Sequence, residues 1–138
     1  MTRHFVFAAA LIALAGPAHA ADPVDGRWVT EERDAVISIT DCGKSKCGRI
    51  AKFLVAPPQG ASQRDVNNSD PKLRNRMILG MPVLTGFTDE GKDWRGRIYD
   101  PKSGKTYRSI LRRIDANTLQ VKGCLGPFCQ TQTWKRAR

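Results

Sequence analysis

Apolar and polar residues alternate through most of this chain, in short runs that turn-forming residues separate. Residues 35–40, AVISIT, place Ala35, Ile37 and Ile39 on one face and the even-numbered residues on the other. A period of two is the side-chain pattern of a β-strand. The chain contains eight such segments, and we predict strands at residues 26–30, 35–40, 48–55, within 77–88, and at 93–99, 105–114, 118–122 and 130–136.

Most of the connections between these segments are short and read as hairpin turns. The clearest is 100–104, DPKSG, in which proline fixes one φ angle and glycine accepts a positive one. The longest irregular stretch is 56–75, with one helical turn expected at 73–76, and loops of this length in compact domains are often functional. Sequential hairpins predict an all-β fold, a small antiparallel up-and-down β-barrel of about eight strands, because closure removes exposed sheet edges.

The first twenty residues have the organisation of an export signal. A basic start with Arg3 leads into the uncharged run 5–15, and Ala18-His19-Ala20 supplies small residues for cleavage. The run is too short to cross a bilayer as a helix, which needs roughly 20 residues. We predict a cleaved signal at 1–20, with an uncleaved anchor as the alternative, and a single domain at 21–138 without a membrane-spanning segment. The predicted location is the periplasm or the exterior.

The charge of the chain is strongly basic. Without Arg3, 22 basic and 13 acidic residues remain, for a net charge of +9. Such a charge favours anionic partners such as lipid headgroups or acidic polymers, although it also serves solubility alone. The basic residues are spread along the chain without a run of five or six, which argues against nucleic acid as the partner.

Histidine is confined to the predicted signal, as His4 and His19. The predicted mature chain therefore lacks the commonest general base and the commonest metal ligand. The sequence accordingly favours a binding protein over an enzyme, with no catalytic residues, no cofactor and no metal site expected.

The four cysteines form two similar pairs. Cys42 and Cys47 bracket one turn-forming segment, and Cys124 and Cys129 bracket another. Export implies an oxidising compartment, where disulfides are the default. Of three possible connectivities we favour the local one, Cys42–Cys47 and Cys124–Cys129, and a four-cysteine zinc site is the competing interpretation.

Several polar residues near the long loop are candidates for chemistry. Residues 65–70 place oxygen ligands at alternate positions, but Asp70 stands where a calcium loop needs glycine, so capping of backbone turns is favoured. Asp100, before a proline, is also expected to cap its own turn. Arg74 and Arg76 fit two roles equally well, gripping a carboxylate or phosphate and bracing the loop through backbone carbonyls.

The two chain ends carry tryptophan and arginine. Trp28 lies in the first predicted strand, and Trp134 and Arg136 lie in the last. In an up-and-down barrel these strands are neighbours, so Arg136 is expected to lie over the ring of Trp28 and close the barrel. This G-x-W and terminal arginine resemble the signature of the lipocalin and calycin barrels.

Together, the segments resemble a known family, the bacterial exported domain of unknown function 2147. The resemblance covers nearly all of the predicted mature chain, in order. It implies a lipocalin-like barrel exported from a Gram-negative cell, and it implies no agreed activity. The matching segments are 26–28, 42–43, 47–50, 65–76, Gly80, 94–96, 98–101, 104–107, Leu119, Val121, Gly123 and 133–134.

Two functions follow as hypotheses. The first is an exported binding protein for a small hydrophobic or amphiphilic acidic ligand, such as a fatty acid, held in the barrel. The second is a non-enzymatic cell-envelope protein whose basic surface contacts anionic lipid or polymer. The predicted ligand residues are Ile37, Ile39, Trp94, Ile98 and Leu111 on the strands, with Arg74 and Arg76 at the mouth, and the predicted basic surface is Arg95, Arg97, Arg108, Arg112 and Arg113.

Overall fold

The computed structural model describes residues 10–14, 16 and 19–138, and it is built almost wholly of β-strands. Two short 3-10 helices, Gly60–Ser62 and Pro71–Leu73, lie in the connection between β3 and β4. The predicted export signal falls largely on residues outside those described. The strands are β1 Gly26–Val29, β2 Ala35–Cys42, β3 Ser45–Phe53, β4 Pro82–Asp89, β5 Trp94–Asp100, β6 Lys105–Asp115, β7 Thr118–Leu125 and β8 Phe128–Arg136.

Each strand pairs antiparallel with the next one along the chain, and β8 pairs with β1. The closing register sets Trp28 opposite Arg136 and Val29 opposite Lys135. The sheet is therefore a closed up-and-down barrel of eight strands, which confirms the predicted fold class. Among the described residues, no helix is long and apolar enough to cross a membrane.

Local details of the prediction need correction. The last two predicted strands are too short, because Cys124 pairs with Cys129 and Leu125 with Phe128 inside the ladder. The turn between them is therefore only two residues long and starts at Gly126, whose φ is +57°. The cysteines extend the strands instead of forming the turn.

The helical turn expected at 73–76 also lies elsewhere, at Pro71–Leu73. The side chain of Asp70 accepts a hydrogen bond from the backbone N–H of Lys72 (3.0 Å), which starts the turn there. Proline at the first helical position favours the same start, because its missing N–H is not needed there.

Large apolar side chains fill the interior of the barrel. Trp28, Phe87 and Leu111 are fully buried and belong to one cluster of core residues. Glycines make room for them: a Cβ at Gly48 would lie 2.8 Å from Leu84 Cδ1, and one at Gly96 would lie 2.7 Å from the Phe87 ring. These approaches are closer than carbon atoms tolerate, so neither position has room for a side chain beside its core neighbours.

The two ends of the barrel differ. Successive connections of an up-and-down barrel lie at alternate ends, so the β3–β4 connection shares its end with the β5–β6 and β7–β8 turns. We call this the loop end. Residues 21–25 enter β1 at the opposite end, beside the β4–β5 turn, and we call that the N-terminal end.

Candidate functional site

The long connection between β3 and β4, residues 54–81, is a folded structure with its own hydrogen bonds. Its two limbs pair with one another: the N–H of Asp65 donates to the carbonyl of Arg76 (3.0 Å), and that of Ile78 donates to Gln63 (3.0 Å). Pairing of this kind satisfies backbone groups that would otherwise be costly to bury. The connection therefore has a defined shape and can hold side chains in fixed positions.

Asp65 is the centre of a buried polar cluster in this loop, and its side chain is fully inaccessible to solvent. Oδ1 accepts a hydrogen bond from the Tyr99 hydroxyl (2.6 Å). Oδ2 accepts from Arg76 Nε (2.9 Å) and Asn68 Nδ2 (2.8 Å). A buried carboxylate needs an opposite charge and hydrogen-bond donors. The cluster supplies both, so it ties the loop to β5 at Tyr99.

Tyr99 is held as a neutral hydrogen-bond donor. Burial, together with the hydrogen bond to the Asp65 carboxylate, raises the pKa of Tyr99 to about 12. The guanidinium of Arg76 lies 5.2 Å from the centroid of the Tyr99 ring and opposes part of this rise. The hydroxyl therefore stays protonated at neutral pH and keeps its hydrogen bond to Asp65, which anchors the loop to β5.

A second set of contacts anchors the loop to the β5–β6 turn. The hydroxyl of Ser69 donates to the carbonyl of Gly104 (3.2 Å), and Asn67 Nδ2 donates to the carbonyl of Lys102 (3.3 Å). Gly104 has a φ of +70°, and a Cβ there would overlap the carbonyl oxygen of Asn67. Glycine is therefore required both for the turn and for the close approach of the loop.

Beside the anchored loop lies an apolar groove of about 410 Å³. Its walls come from the end of β3 and from both limbs of the loop. Leu54 and Leu79 remain 43% and 37% exposed, and Lys52 is the charged residue among those that line it. A groove of this size lies within the range of small-molecule sites. It is lined by Ala51, Lys52, Phe53, Leu54, Ala56, Gly60, Ala61 and Leu79.

The ligand residues predicted from the sequence lie elsewhere. Ile37, Ile39 and Leu111 belong to the packed core, and Trp94 and Ile98 are partly buried against it. Ligand contact by all five stays a prediction, and for Ile37, Ile39 and Leu111 it would require the core side chains to separate.

The two predicted arginines brace the loop in this structure. Arg74 Nε donates to the carbonyl of Asn68 (2.8 Å), and Arg76 is paired with Asp65. These contacts correspond to the bracing role, one through a carbonyl and the other through a carboxylate. A direct role in ligand binding stays a prediction for both.

The closure residues meet at the N-terminal end. Arg136 lies over the Trp28 ring, 4.0 Å from its centroid, and its Nη1 donates to the carbonyl of Asp25 (3.0 Å). Trp134 is buried in the core, and its indole N–H donates to Gln132 (2.9 Å).

The cysteines lie in two local pairs at disulfide distance, Cys42–Cys47 and Cys124–Cys129. These are the same pairs that the sequence favours. The described part of the chain contains no free cysteine and no group of three or more potential ligands from His, Cys, Asp and Glu close enough to hold a metal ion.

Sequence reasoning missed the Asp65 cluster and the groove. Asp65 and Tyr99 are 34 residues apart, and only the fold brings them together. The groove had one visible signal, the apolar run Phe53-Leu54-Val55-Ala56, which continues past the end of β3 into the loop.

Comparison with known proteins agrees with this architecture. Protein HP1028 from the human pathogen Helicobacter pylori, described as belonging to the lipocalin family, has a similar structure, with a TM-score of 0.71 and 24% sequence identity over 84% of each chain. At this identity the likeness concerns the fold. No curated protein matches the chain. The sequence profile of a bacterial family, "Uncharacterized protein conserved in bacteria (DUF2147)", matches residues 26–136. The chain therefore belongs to the DUF2147 family and has a lipocalin-like fold.

Proposed function

We propose that this protein binds a small amphiphilic acid at the loop end of the barrel, with the hydrocarbon part in the groove and the acidic group near Lys52. The observation that carries the proposal is the groove itself. It is a concave, mostly apolar site with a volume of about 410 Å³, and the amino group of Lys52 is among the groups that line it. Sites for small molecules are mostly apolar, with a few polar groups that orient the ligand.

The lipocalin-like fold supports a binding role, because barrels of this size commonly hold one small ligand. In this chain the interior is filled by side chains such as Trp28 and Phe87. The proposal therefore places the ligand beside the loop instead of at the centre of the barrel. The net charge of the chain favours an anionic ligand over a cationic one.

The physical chemistry of the groove predicts how affinity should change with the ligand. Each buried methylene contributes about 0.8 kcal/mol, so two more methylenes should strengthen binding about tenfold until the groove is full. Isothermal titration with octanoate, decanoate and dodecanoate measures this series directly. A flat series would contradict hydrocarbon burial in the groove.

Two substitutions locate the site. Ala61→Trp should block the groove and abolish dodecanoate binding, whereas Ala116→Trp, at an exposed turn at the other end of the barrel, should leave it intact. Lys52→Gln should weaken binding of dodecanoate more than binding of uncharged dodecanol, and Lys105→Gln is the matched control. Equal loss with both tryptophan variants would place the ligand outside the groove.

A second function is contact with an anionic envelope surface. The pairing of two arginines across neighbouring strands favours it. Arg97 and Arg108 lie directly opposite one another across β5 and β6, and both are exposed. Like charges in facing positions destabilise a sheet, which an anionic partner would relieve. Arg113 does not share this face, because it pairs with the core residue Leu119 and lies among residues at the N-terminal end.

Sedimentation with phosphatidylglycerol vesicles tests this second function. Arg97→Gln with Arg108→Gln should reduce binding more than Lys44→Gln with Lys72→Gln, which removes the same charge elsewhere. Equal reduction by the two double variants would mean that net charge alone drives the contact, and the face would have no special role.

A further inference from the structure

Exposure to solvent changes abruptly between residues 20 and 21. The described residues before this point, 10–14, 16, 19 and 20, are exposed. Ala21 is only 8% exposed and Val24 is fully buried, while Asp22 and Pro23 between them are exposed. The boundary of the packed structure coincides with the cleavage position predicted from Ala18-His19-Ala20.

Residues 21–24 are fixed to the barrel by hydrogen bonds. The indole N–H of Trp94 donates to the carbonyl of Asp22 (2.9 Å), and that of Trp28 donates to the carbonyl of Val24 (2.9 Å). The backbone nitrogen of Ala21 lies 3.0 Å and 3.2 Å from the two carboxylate oxygens of Asp89. Asp89 ends β4 and is exposed to solvent, and the N–H of Gly91 donates to its Oδ1 (2.8 Å), which orients the carboxylate.

We propose that cleavage before Ala21 creates an α-ammonium group that forms an ion pair with Asp89, so that the processed N-terminus becomes a structural part of the barrel. The step is hydrolysis of the Ala20–Ala21 peptide bond by an export signal peptidase. Water adds across the C–N bond, Ala20 leaves as a carboxylate, and the nitrogen of Ala21 becomes –NH₃⁺.

The geometry suits an ammonium group better than a peptide nitrogen. The amide has a single proton to share between two carboxylate oxygens, whereas an ammonium can donate a separate proton to each. It also carries a full positive charge, so it adds a direct electrostatic attraction to the carboxylate that a neutral peptide nitrogen cannot provide. Hydrogen bonds from the N–H groups of Gly91 and Ala21 already lower the pKa of Asp89.

Other charged groups surround this contact. A hollow of about 320 Å³ beside it is lined by His19, Asp22, Lys92, Arg112 and Arg113, among others. Glu90 follows Asp89 in the chain and accepts a hydrogen bond from Thr88 (3.0 Å). Cleavage removes His19, and it leaves Asp89 as the carboxylate in direct contact with the nitrogen of Ala21.

The sign of the pH effect follows from the pairing. Pairing with Asp89 raises the pKa of the ammonium, whereas the nearby Lys92, Arg112 and Arg113 lower it. The proposal requires the direct pairing to dominate, so that the pKa is higher in the folded protein than in the unfolded one, where it is about 8. The stabilisation is present below that value and is lost as the pH rises through the folded-state pKa. An N-acetylated chain should lack this dependence, because its terminal nitrogen does not titrate.

The test uses the exported, processed protein. N-terminal sequencing should give Ala21 as the first residue. NMR titration of Ala21 should then show a proton affinity of the α-amine about three- to tenfold higher in the folded protein than in urea. Asp89→Asn should abolish the difference, whereas Glu90→Gln, which removes the same charge one residue away, should preserve it.

Three results would overturn the proposal. The processed protein could begin at a residue other than Ala21, or the α-amine could have the same proton affinity in the folded protein and in urea. Asp89→Asn and Glu90→Gln could also change that proton affinity equally. The comparison of the folded and urea states needs no variant, so it can still overturn the proposal if Asp89→Asn does not fold.

Discussion

Arg136, near the end of the chain, lies over the indole of Trp28 in the first strand, with its guanidinium carbon 4.0 Å from the ring centroid. The two residues face each other in the register that closes the barrel. Arg136 also donates to the carbonyls of Asp25 and Ala116. A Cβ at Gly26 would overlap its guanidinium, so the arginine fills the space that this glycine leaves. The contact therefore joins the two ends of the sheet.

The first prediction is that Trp28→Ala and Arg136→Ala destabilise the protein in a coupled way. A cation partly shielded from water over an indole contributes about 1–2 kcal/mol. Loss of the buried Trp28 ring should cost roughly 3–5 kcal/mol because it leaves a cavity. Urea unfolding of the two single variants and the double variant gives the coupling energy, which should exceed about 0.5 kcal/mol. Additive effects would mean that the contact does not contribute to stability.

The second prediction concerns Gly104, where the loop meets the β5–β6 turn. Gly104→Ala should destabilise the protein more than Gly126→Ala does. Both glycines have positive φ, which costs an alanine about 1–2 kcal/mol, but only at Gly104 would the new Cβ overlap the carbonyl of Asn67. Hydrogen exchange should also show faster opening of residues 65–70 in Gly104→Ala. Equal effects of the two substitutions would show that the loop does not depend on this approach.

The third prediction is a loss of stability at alkaline pH. The pKa of Tyr99 is about 12 in the folded protein and about 10 in an unfolded chain. The unfolded state therefore releases this proton first, and the stabilisation falls as the pH rises from about 10 towards 12. Urea unfolding at several pH values should show this fall in the wild type and in Tyr107→Phe, but less of it in Tyr99→Phe. An identical pH profile in Tyr99→Phe would contradict the role given to the Asp65 contact.

The fourth prediction concerns the disulfides. Replacing Cys42 and Cys47 together by serine should lower the free energy of unfolding by about 2 kcal/mol, from loop-closure entropy in the unfolded chain. Thiol titration of the unreduced wild type should detect no free thiol. Peptide mapping should link each cysteine to its near partner, and a peptide that joins Cys42 to Cys124 or Cys129 would refute this pairing.

The sequence predicts the barrel well because its signals are local. Alternation along 35–40 and the turn residues at 100–104 each specify an element without help from distant parts of the chain. The ends of the strands are less well specified. The strands predicted at 118–122 and 130–136 stop short of Cys124 and Cys129, yet the structure pairs these cysteines within the ladder, which leaves a two-residue turn.

The site depends on long-range contacts, and for that reason the sequence predicts little of it. From the sequence alone, Asp65 is expected to cap its own turn. Its actual partner, Tyr99, lies on a distant strand that only folding brings beside the loop. Alternation places Ile37 and Leu111 on the inner face, but it does not distinguish a packed interior from one with room for a ligand.

Native mass spectrometry of the protein purified from the cells that produce it tests most directly whether the groove at the loop end holds an amphiphilic acid. We predict an added mass on the wild type that dissociates on activation and that lipid analysis identifies as an acid with a hydrocarbon chain. The same mass should be absent from Ala61→Trp and present on Ala116→Trp. A wild type that carries no ligand and does not bind added dodecanoate, or a ligand retained equally by both variants, would contradict the account.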